Sequence, residues 1–364
     1  MANLNFAVND PLAVKLWSKE TERDTLQRLW FWDLVGDSSD SIVSMRDDLQ
    51  KSQGDYVRFP LLGLLSGRGK TEGQTLYGDE EISTFTYDGV YINELRHATK
   101  VPGDTNISQQ RFVDNRLREY GRDLLSTWMS ERMEVSLFNQ LCGNTTVTDA
   151  AYNGNNTILA PSTNRIIRVA GQASDQALGN TNLLTLATLD VVTEMAATVT
   201  PRIMPGRVKG KSRFILFVHP YQATDLMRAT GSGEWLNIQL QKLAGGDSSE
   251  KLQNYEGYIG TYKNIEIYAT KYVPTGVNGS TGAAISTVRR AVLCGRHAAS
   301  LAFARGMGKS KFSWGEESMD YGHDLGIAAS TIWGLKKTRY GTSGSDGEDY
   351  GVITISSYAA AHTS

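Results

Sequence analysis

The segment from Gly63 to Thr71 carries the most suggestive chemical motif in this chain. A phosphate-binding loop follows the pattern G-x-x-x-x-G-K-[ST], and its backbone amides hold a phosphate at the start of a helix. Gly69 and Lys70 fit the end of this pattern, but Leu64 stands where its first glycine is required. The residues that follow predict a strand instead of a helix. We therefore interpret the segment as a flexible basic loop tip.

A second group of side chains has the types that ligate divalent cations, which are carboxylates and imidazole. The group consists of Glu316, Glu317, Asp320, His323 and Asp324. Its spacing fits no EF-hand, and the neighbouring Gly315 and Gly322 predict turns. An exposed polar surface, or ion pairs between subunits, is the favoured interpretation.

The histidines offer no catalytic pattern either. His219 precedes Pro220 at the end of a predicted strand, where active-site residues often occur, but a lone histidine there favours a structural role. No H-E-x-x-H metal motif and no G-x-S-x-G nucleophile motif is present. Cys142 and Cys294 are far apart in the sequence, which argues against a disulfide and against a zinc site.

One basic stretch could contact phosphate groups. It lacks interleaved aromatic residues and precedes a predicted buried strand, so we interpret it as a solvated loop. Its members are Arg202, Arg207, Lys209, Lys211 and Arg213. The sequence therefore assigns no catalytic residue, no cofactor and no metal ligand.

Composition predicts a folded, soluble protein. The chain has 364 residues, of which 40% are hydrophobic and 21% charged, and its formal net charge is −2. This balance excludes a disordered chain and gives no overall attraction to nucleic acid. No window reaches about 18 apolar residues, so a membrane-spanning helix is not expected.

The elements that must position these residues include one very long helix. Residues 108–142 contain no proline and one glycine, and Ser108 and Gly143 suit its two ends. Such a helix spans roughly 50 Å, which predicts an elongated molecule. We expect its apolar stripe to face residues 298–355. The stripe has helical spacing: Phe112, Val113, Leu117, Tyr120, Leu124, Leu125, Trp128, Met129, Val135, Phe138 and Leu141.

Two extended segments precede this helix. Residues 12–34 predict a helical arm rich in tryptophan, and because a thin arm has little core of its own, a neighbouring chain is a candidate to bury it. Residues 56–101 predict a long two-stranded excursion with a glycine-rich tip. Since an isolated two-stranded ribbon is marginally stable, we expect it to lie across another subunit.

An α/β module follows the helix. Residues 184–198 predict a helix, residues 212–219 a buried strand, and Pro220 the first turn of another helix. Further strands are predicted at 265–268 and 290–294. Residues 298–357 alternate short strands with glycine turns.

This order of elements, together with several stretches of sequence, resembles the major capsid proteins of tailed bacteriophages with the Hong Kong 97-type fold. Among these proteins, the amino-acid sequence is most similar to the branch typified by the coat protein of coliphage N-four. The resemblance covers the flanks of the chain, whereas residues 144–249 match only in layout. The stretches that carry it are residues 72–81, 92–100, 312–327, 332–339 and 349–353.

The resemblance implies an α+β capsid fold with an inserted α/β domain. Its parts would be an N-terminal arm at residues 1–50, an extended β-loop over a neighbouring subunit at 51–105, a peripheral domain at 106–182 and 295–364 with residues 108–142 as its spine helix, and an axial domain at 183–294.

The implied function is that of a major capsid protein, not an enzyme, that self-assembles into the icosahedral shell around a double-stranded DNA genome. The implied partners are other copies in hexamers and pentamers, portal, scaffold and possible decoration proteins, and packaged DNA bound non-specifically. Membranes are not among them. The protein would reside in the virion after assembly in the host cytoplasm. Two alternatives stay open: an encapsulin-type bacterial compartment, and an enzyme with an unrecognised phosphate or metal site around Lys70 or residues 316–324.

Overall fold

The body of the protein is built from two large β-sheets with helices packed against them, which confirms the α+β class. A computed structural model describes residues 11–47, 54–62, 65, 67–82, 85–101, 117–208, 210–229, 235, 257–304, 310–319, 324–341 and 347–362. Within these residues, no helix combines the length and apolar character needed to cross a membrane.

The α-helices and β-strands are numbered in chain order. The helices are α1 Pro11–Arg28, α2 Leu117–Leu141, α3 Ala150–Asn153, α4 Leu186–Thr198 and α5 Pro220–Arg228. The strands are β1 Val35–Gly36, β2 Val43–Arg46, β3 Tyr56–Leu62, β4 Phe85–Tyr91, β5 Asn93–Val101, β6 Ile166–Arg168, β7 Gly206–Val208, β8 Lys211–Val218, β9 Tyr258–Tyr262, β10 Ile265–Ala269, β11 Thr275–Val277, β12 Ala284–Cys294, β13 Ala299–Phe303, β14 Phe312–Met319, β15 Asp324–Lys337, β16 Arg339–Tyr340, β17 Glu348–Asp349 and β18 Val352–Tyr358. Short 3-10 helices include Trp30–Leu34.

The strands form two large and two small sheets. The six-stranded sheet has the order β1-β2-β13-β15-β14, and β5 also pairs with β15. The eight-stranded sheet has the order β6-β18-β12-β8-β10-β9, with β7 beside β8 and β11 beside β12. Strands β3 and β4 form a separate two-stranded ribbon, and β16 pairs with β17.

Helix α2 packs against the six-stranded sheet through one buried stripe. Met129, Met133 and Leu137 are each at most 1% exposed and share a core with residues of β13, β14 and β15. This confirms the predicted contact with residues 298–355, but the predicted stripe was wrong at Tyr120 and Leu124, which are 53% and 64% exposed. The helix ends at Leu141, where Gly143 adopts a φ of +62° and Asn144 N–H donates to Asn139 O at 2.9 Å, a glycine-dependent helix end. The predicted first part, residues 108–116, lies outside the described residues.

Both faces of the eight-stranded sheet are covered. Side chains alternate along β8, so Ile215 and Phe217 join the core around α2, whereas Phe214, Leu216 and Val218 join a second core with α4 and α5. A strand with two buried faces is apolar throughout instead of alternating. This explains the continuous apolar run in β8. Outside the predicted range 183–294, β6 and β18 also belong to this sheet.

The interpretation of the N-terminal arm was wrong in one respect. We considered a neighbouring chain as the place where its aromatic residues are buried, but Phe31 is 1% exposed within the core of its own chain. Trp30 packs edge-on against Phe217 with 5.1 Å between ring centroids. Arg122 of α2 pairs with Asp24 of α1 at 3.4 Å. These contacts fold the arm back onto α2, which the local sequence pattern could not show.

Candidate functional site

The glycine-rich segment does not form a phosphate-binding loop in its described part. Lys70 pairs with Asp79 at 2.5 Å, and Gly67 N–H donates to Glu81 Oε2 at 2.5 Å. The next regular element among the described residues is strand β4, whereas a phosphate-binding loop leads into a helix. Gly63 and Leu64 lie outside the described residues. These contacts close the tip of the ribbon upon itself.

The acidic group is divided among separate partners. Glu316 is buried and accepts a hydrogen bond from Trp314 Nε1 at 3.0 Å. Asp324 is buried and pairs with Lys100, whereas Glu317 is exposed. Asp320 and His323 lie outside the described residues, and within the described ranges no three acidic, histidine or cysteine residues gather as a metal site.

His219 caps helix α5. The His219 Nδ1 atom accepts a hydrogen bond from Tyr221 N–H at 3.2 Å, and the backbone N–H of His219 donates to Gln222 Oε1 at 2.9 Å. Burial, assisted by the charge of Arg289, lowers the pKa of His219 to about 4. A neutral imidazole that accepts at a helix start is a structural group, as we predicted.

In the basic stretch, Arg202, Arg207 and Lys211 are exposed, but the prediction of a loop was wrong, because Arg207 lies on β7 and Lys211 on β8. Arg213 pairs with Glu266 at 3.0 Å across β8 and β10. Lys209 lies outside the described residues. Cys142 and Cys294 are fully buried free thiols. Burial raises the pKa of Cys142 to about 12 and that of Cys294 well above its ordinary value, so neither is an activated nucleophile.

The ribbon of β3 and β4 has two different faces. Seven antiparallel pairs join the strands, from Tyr56 opposite Tyr91 to Leu62 opposite Phe85. One face is apolar and packs on the body, where Val57 and Val90 contact Ala302 of β13. The ribbon confirms a two-stranded excursion, but the predicted range 56–101 was too long, because residues 93–101 form β5 and pair with β15 in the six-stranded sheet.

The outer face of the ribbon is rich in tyrosine. Arg58 lies over the ring of Tyr87 at 4.9 Å, and the rings of Tyr56 and Tyr91 are 4.7 Å apart. A Cβ on Gly89, which lies opposite Arg58, would be 1.9 Å from the Tyr56 ring, so the ring in this position leaves no room for a side chain at 89. Tyr87 and Tyr91 are about half exposed. Exposed tyrosine and arginine of this kind are enriched in protein interfaces.

The tip of the ribbon exposes large apolar side chains. Residues 67–82 have no helix or strand, and all are exposed. Tyr77 is 95% exposed and Ile82 89%, and Leu65 and Leu76 are also more than half exposed. Because apolar surface in water is unfavourable, this tip has the character of a surface that contacts another molecule.

A comparison with known proteins gives these surfaces their context. Residues 5–361 match the family model described as phage capsid protein. The chain belongs to the phage capsid protein family. A curated relative, the major capsid protein of Pseudomonas phage KPP25, is 23% identical over 95% of this chain and 94% of its own length.

Solved structures agree with this family assignment. The capsid of Ralstonia phage GP4 is 25% identical, with 91% of each chain covered and a TM-score of 0.75. The asymmetric unit of the cyanophage Pam1 capsid is 18% identical, with 93% of this chain and 94% of that chain covered and a TM-score of 0.67, which indicates a shared fold. The resemblance to tailed-phage capsid proteins of the Hong Kong 97 type is confirmed. The function is that of a major capsid protein, which forms the shell of the phage.

One feature of this capsid protein was missed by sequence reasoning. Asp88 lies on the buried face of the ribbon, is 1% exposed, and pairs with Lys336 of β15 at 2.6 Å. Its place in the alternation of β4, between Thr86 and Val90, was a usable signal. A carboxylate at an inward position predicts a buried cationic partner, although not which one.

Proposed function

We propose that the ribbon and its tip form the extended loop by which this capsid protein holds a neighbouring subunit in the shell. The observation that carries the proposal is the exposure of Tyr77 and Ile82 at the end of the ribbon. A ribbon of two strands is marginally stable alone. Burial of its tip on a second copy would remove this apolar surface from water and stabilise both partners.

The two large sheets would then divide the other roles. The six-stranded sheet and α2 supply the peripheral domain with α2 as its spine, and the eight-stranded sheet supplies the axial domain near the centre of a capsomer. The sequence range proposed for the axial domain is 183–294, to which β6 and β18 add strands. Copies would associate head to tail into hexamers and pentamers, because heterologous contacts that close form rings.

The proposed partners beyond the protein's own copies are portal, scaffold and possible decoration proteins, and the packaged double-stranded DNA. A formal net charge of −2 supports weak, non-specific contact with DNA, since tight binding requires many cationic contacts to phosphate. Assembly would take place in the host cytoplasm. The subunit acts by packing and carries out no catalysis. The family assignment favours this proposal over an encapsulin-type compartment.

Removal of residues 64–73 tests the role of the tip. Because all the described residues of this segment are exposed, we expect the circular dichroism spectrum and thermal midpoint to stay at wild-type values while shells are lost in negative-stain images. A matched control replaces the exposed turn at residues 279–282, on the β11–β12 hairpin, and should assemble normally. Wild-type shell yield from the shortened protein would contradict the proposal, as would loss of its fold.

A further inference from the structure

Asp88 occupies a position where an apolar side chain is expected. It lies opposite Phe59 in the ribbon and shares its buried face with Val57 and Val90. An ionised carboxylate in such surroundings is unfavourable unless it is paired and hydrogen-bonded. Its presence therefore calls for a specific set of partners.

Both oxygens of Asp88 have donors. Oδ1 accepts from Lys336 Nζ at 2.6 Å and from Gly89 N–H at 2.8 Å, and Oδ2 accepts from Arg339 N–H at 2.9 Å. Lys336 and Arg339 lie at the junction of β15 and β16, in the body of the protein. Two contacts from the body thus converge on one side chain of the ribbon.

These contacts continue into a buried ionic network. Asp349 of β17 accepts from Lys337 Nζ at 2.9 Å and from Arg339 Nε at 3.1 Å. The side chains of Lys337 and Asp349 are at most 2% exposed, and that of Arg339 is 11% exposed. Arg339, whose backbone N–H donates to Asp88, is therefore itself held through its side chain by the buried Asp349. We call Asp88, Lys336, Lys337, Arg339 and Asp349 the Asp88 network.

Other contacts also join the ribbon to the body in the described residues, among them a hydrogen bond that Arg46 of β2 donates to Arg58 O of β3 at 2.8 Å. The apolar contacts of Val57 and Val90 with Ala302 are not directional.

At the base of the ribbon, Asn156 Oδ1 accepts a hydrogen bond from Tyr91 N–H at 2.9 Å, and Asn156 Nδ2 donates to Tyr91 O at 2.7 Å. These two bonds fix the ribbon at Tyr91. Farther along the ribbon, Arg46 holds strand β3 by one hydrogen bond, and Asp88 holds strand β4 by an ion pair and a hydrogen bond.

We propose that Asp88 is a positioning residue that sets the direction in which the ribbon leaves the body, and thereby the place where the tip meets the next subunit. The proposal rests on the proposed function of the ribbon. Because a charged pair has one favourable geometry whereas apolar contacts can slide, loss of the Asp88 charge lets the ribbon sample other angles.

The experiment measures the ribbon angle in the unassembled full-length chain. Spin labels are attached through Tyr77→Cys on the tip and Leu124→Cys on the outside of α2, two sites that are 95% and 64% exposed. The native Cys142 and Cys294 are buried and do not compete for the label. We expect Asp88→Asn to widen the distance distribution about twofold, and to lower the shell yield of the unlabelled variant about tenfold.

Two further variants keep the test decisive. Asp190→Asn removes an exposed ion pair with Lys263, far from the ribbon in the sequence, and should change neither the distribution nor the shell yield. If Asp88→Asn does not fold, the double variant Asp88→Leu with Lys336→Met, which leaves no unpaired charge, is measured in its place and should also widen the distribution.

The outcomes separate the two proposals. A distribution as narrow as that of the wild type in Asp88→Asn, or in the double variant if Asp88→Asn does not fold, would overturn the positioning role of Asp88. A widened distribution with wild-type shell yield would support the positioning role and overturn the proposed function of the ribbon. A widened distribution with few shells supports both.

Discussion

Side chains alternate between the two faces in both the eight-stranded sheet and the ribbon, but the burial of the faces differs. In the sheet, the adjacent residues Ile215 and Leu216 point to opposite faces and both are 0% exposed. In the ribbon, Val90 is 0% exposed and the adjacent Tyr91 is 45% exposed. The chain covers both faces of the sheet but one face of the ribbon. The eight-stranded sheet is therefore covered within one subunit, whereas the outer face of the ribbon is exposed, as its proposed contact with a neighbouring subunit requires.

The same contrast extends to charged groups. Asp175, beside the eight-stranded sheet, is enclosed by Arg290 at 2.7 Å and Arg168 at 2.9 Å, and these ion pairs join elements of the interior. At the ribbon tip, Lys70 and Asp79 form a pair that is largely open to solvent, and such pairs contribute little to stability. We therefore expect substitutions in the sheet to affect folding, and substitutions at the tip to affect assembly.

The largest effect on folding is expected for Phe217→Ala. The Phe217 ring is 1% exposed and contacts Trp30 and Phe138, with ring centroids 5.1 and 5.2 Å apart. Truncation leaves a cavity and should lower the free energy of unfolding by about 3–5 kcal/mol, measured by urea denaturation of the unassembled chain. A loss below about 1 kcal/mol would contradict the expectation that substitutions in the eight-stranded sheet affect folding.

The next effect is expected for Asp175→Asn. Burial raises the pKa of Asp175, but Arg290, Arg168 and the N–H of Val277 outweigh burial and hold it below its ordinary value. The neutral amide leaves the buried Arg290 and the partly exposed Arg168 without their carboxylate, so we expect a loss of about 3 kcal/mol in the free energy of unfolding. Asp190→Asn, which removes an exposed pair with Lys263, is the control. Equal losses in the two variants would show that burial does not decide the outcome.

A somewhat smaller effect is expected from pH. His219 has a pKa of about 4 in the folded protein and 6.5 as its ordinary value, so the unfolded chain binds a proton first as the pH falls. The stability contributed by the neutral form is complete above about pH 6.5 and is lost progressively between pH 6.5 and 4, by at most about 3 kcal/mol.

His219→Asn tests this pH dependence, because asparagine also caps a helix but does not titrate. Denaturation curves at several pH values should show a weaker dependence in the variant between pH 6.5 and 4. Some dependence remains, since burial also lowers the pKa of His297. Identical pH profiles for wild type and variant would show that His219 does not cause this pH dependence.

The smallest effect on folding is expected at the tip. Tyr77→Asp is a non-conservative change at a residue 95% exposed, and it should alter the free energy of unfolding by less than about 0.5 kcal/mol. Light scattering under assembly conditions should nevertheless show fewer shells, because the charge would be buried at the contact. Tyr77→Phe is the conservative control. Normal assembly of Tyr77→Asp would contradict the expectation that substitutions at the ribbon tip affect assembly.

The local pattern of the sequence predicted the parts that depend on near neighbours. The apolar spacing of residues 117–141 indicated α2, and Pro220 indicated the start of α5. Alternation indicated the two strands of the ribbon. In each case, the residues that decide the structure lie within a few positions of one another, where periodicity is informative.

The parts that depend on distant residues were not predictable in this way. Strand β18 pairs with β12, and β6 pairs with β18, which joins flanks of the chain to the inserted module. The arm folds onto α2 through ion pairs between residues about 100 positions apart. The partner of Asp88 is on β15. None of these pairings leaves a local period, so only the three-dimensional structure reveals them.

The central claim is that this capsid protein forms a shell in which each ribbon tip is buried on a neighbouring subunit. Electron cryomicroscopy of the purified, assembled protein tests it most directly. We predict closed icosahedral shells in which Tyr77 and Ile82 contact the adjacent copy. Shells in which these two side chains face solvent, or protein that stays monomeric under all assembly conditions, would contradict the account.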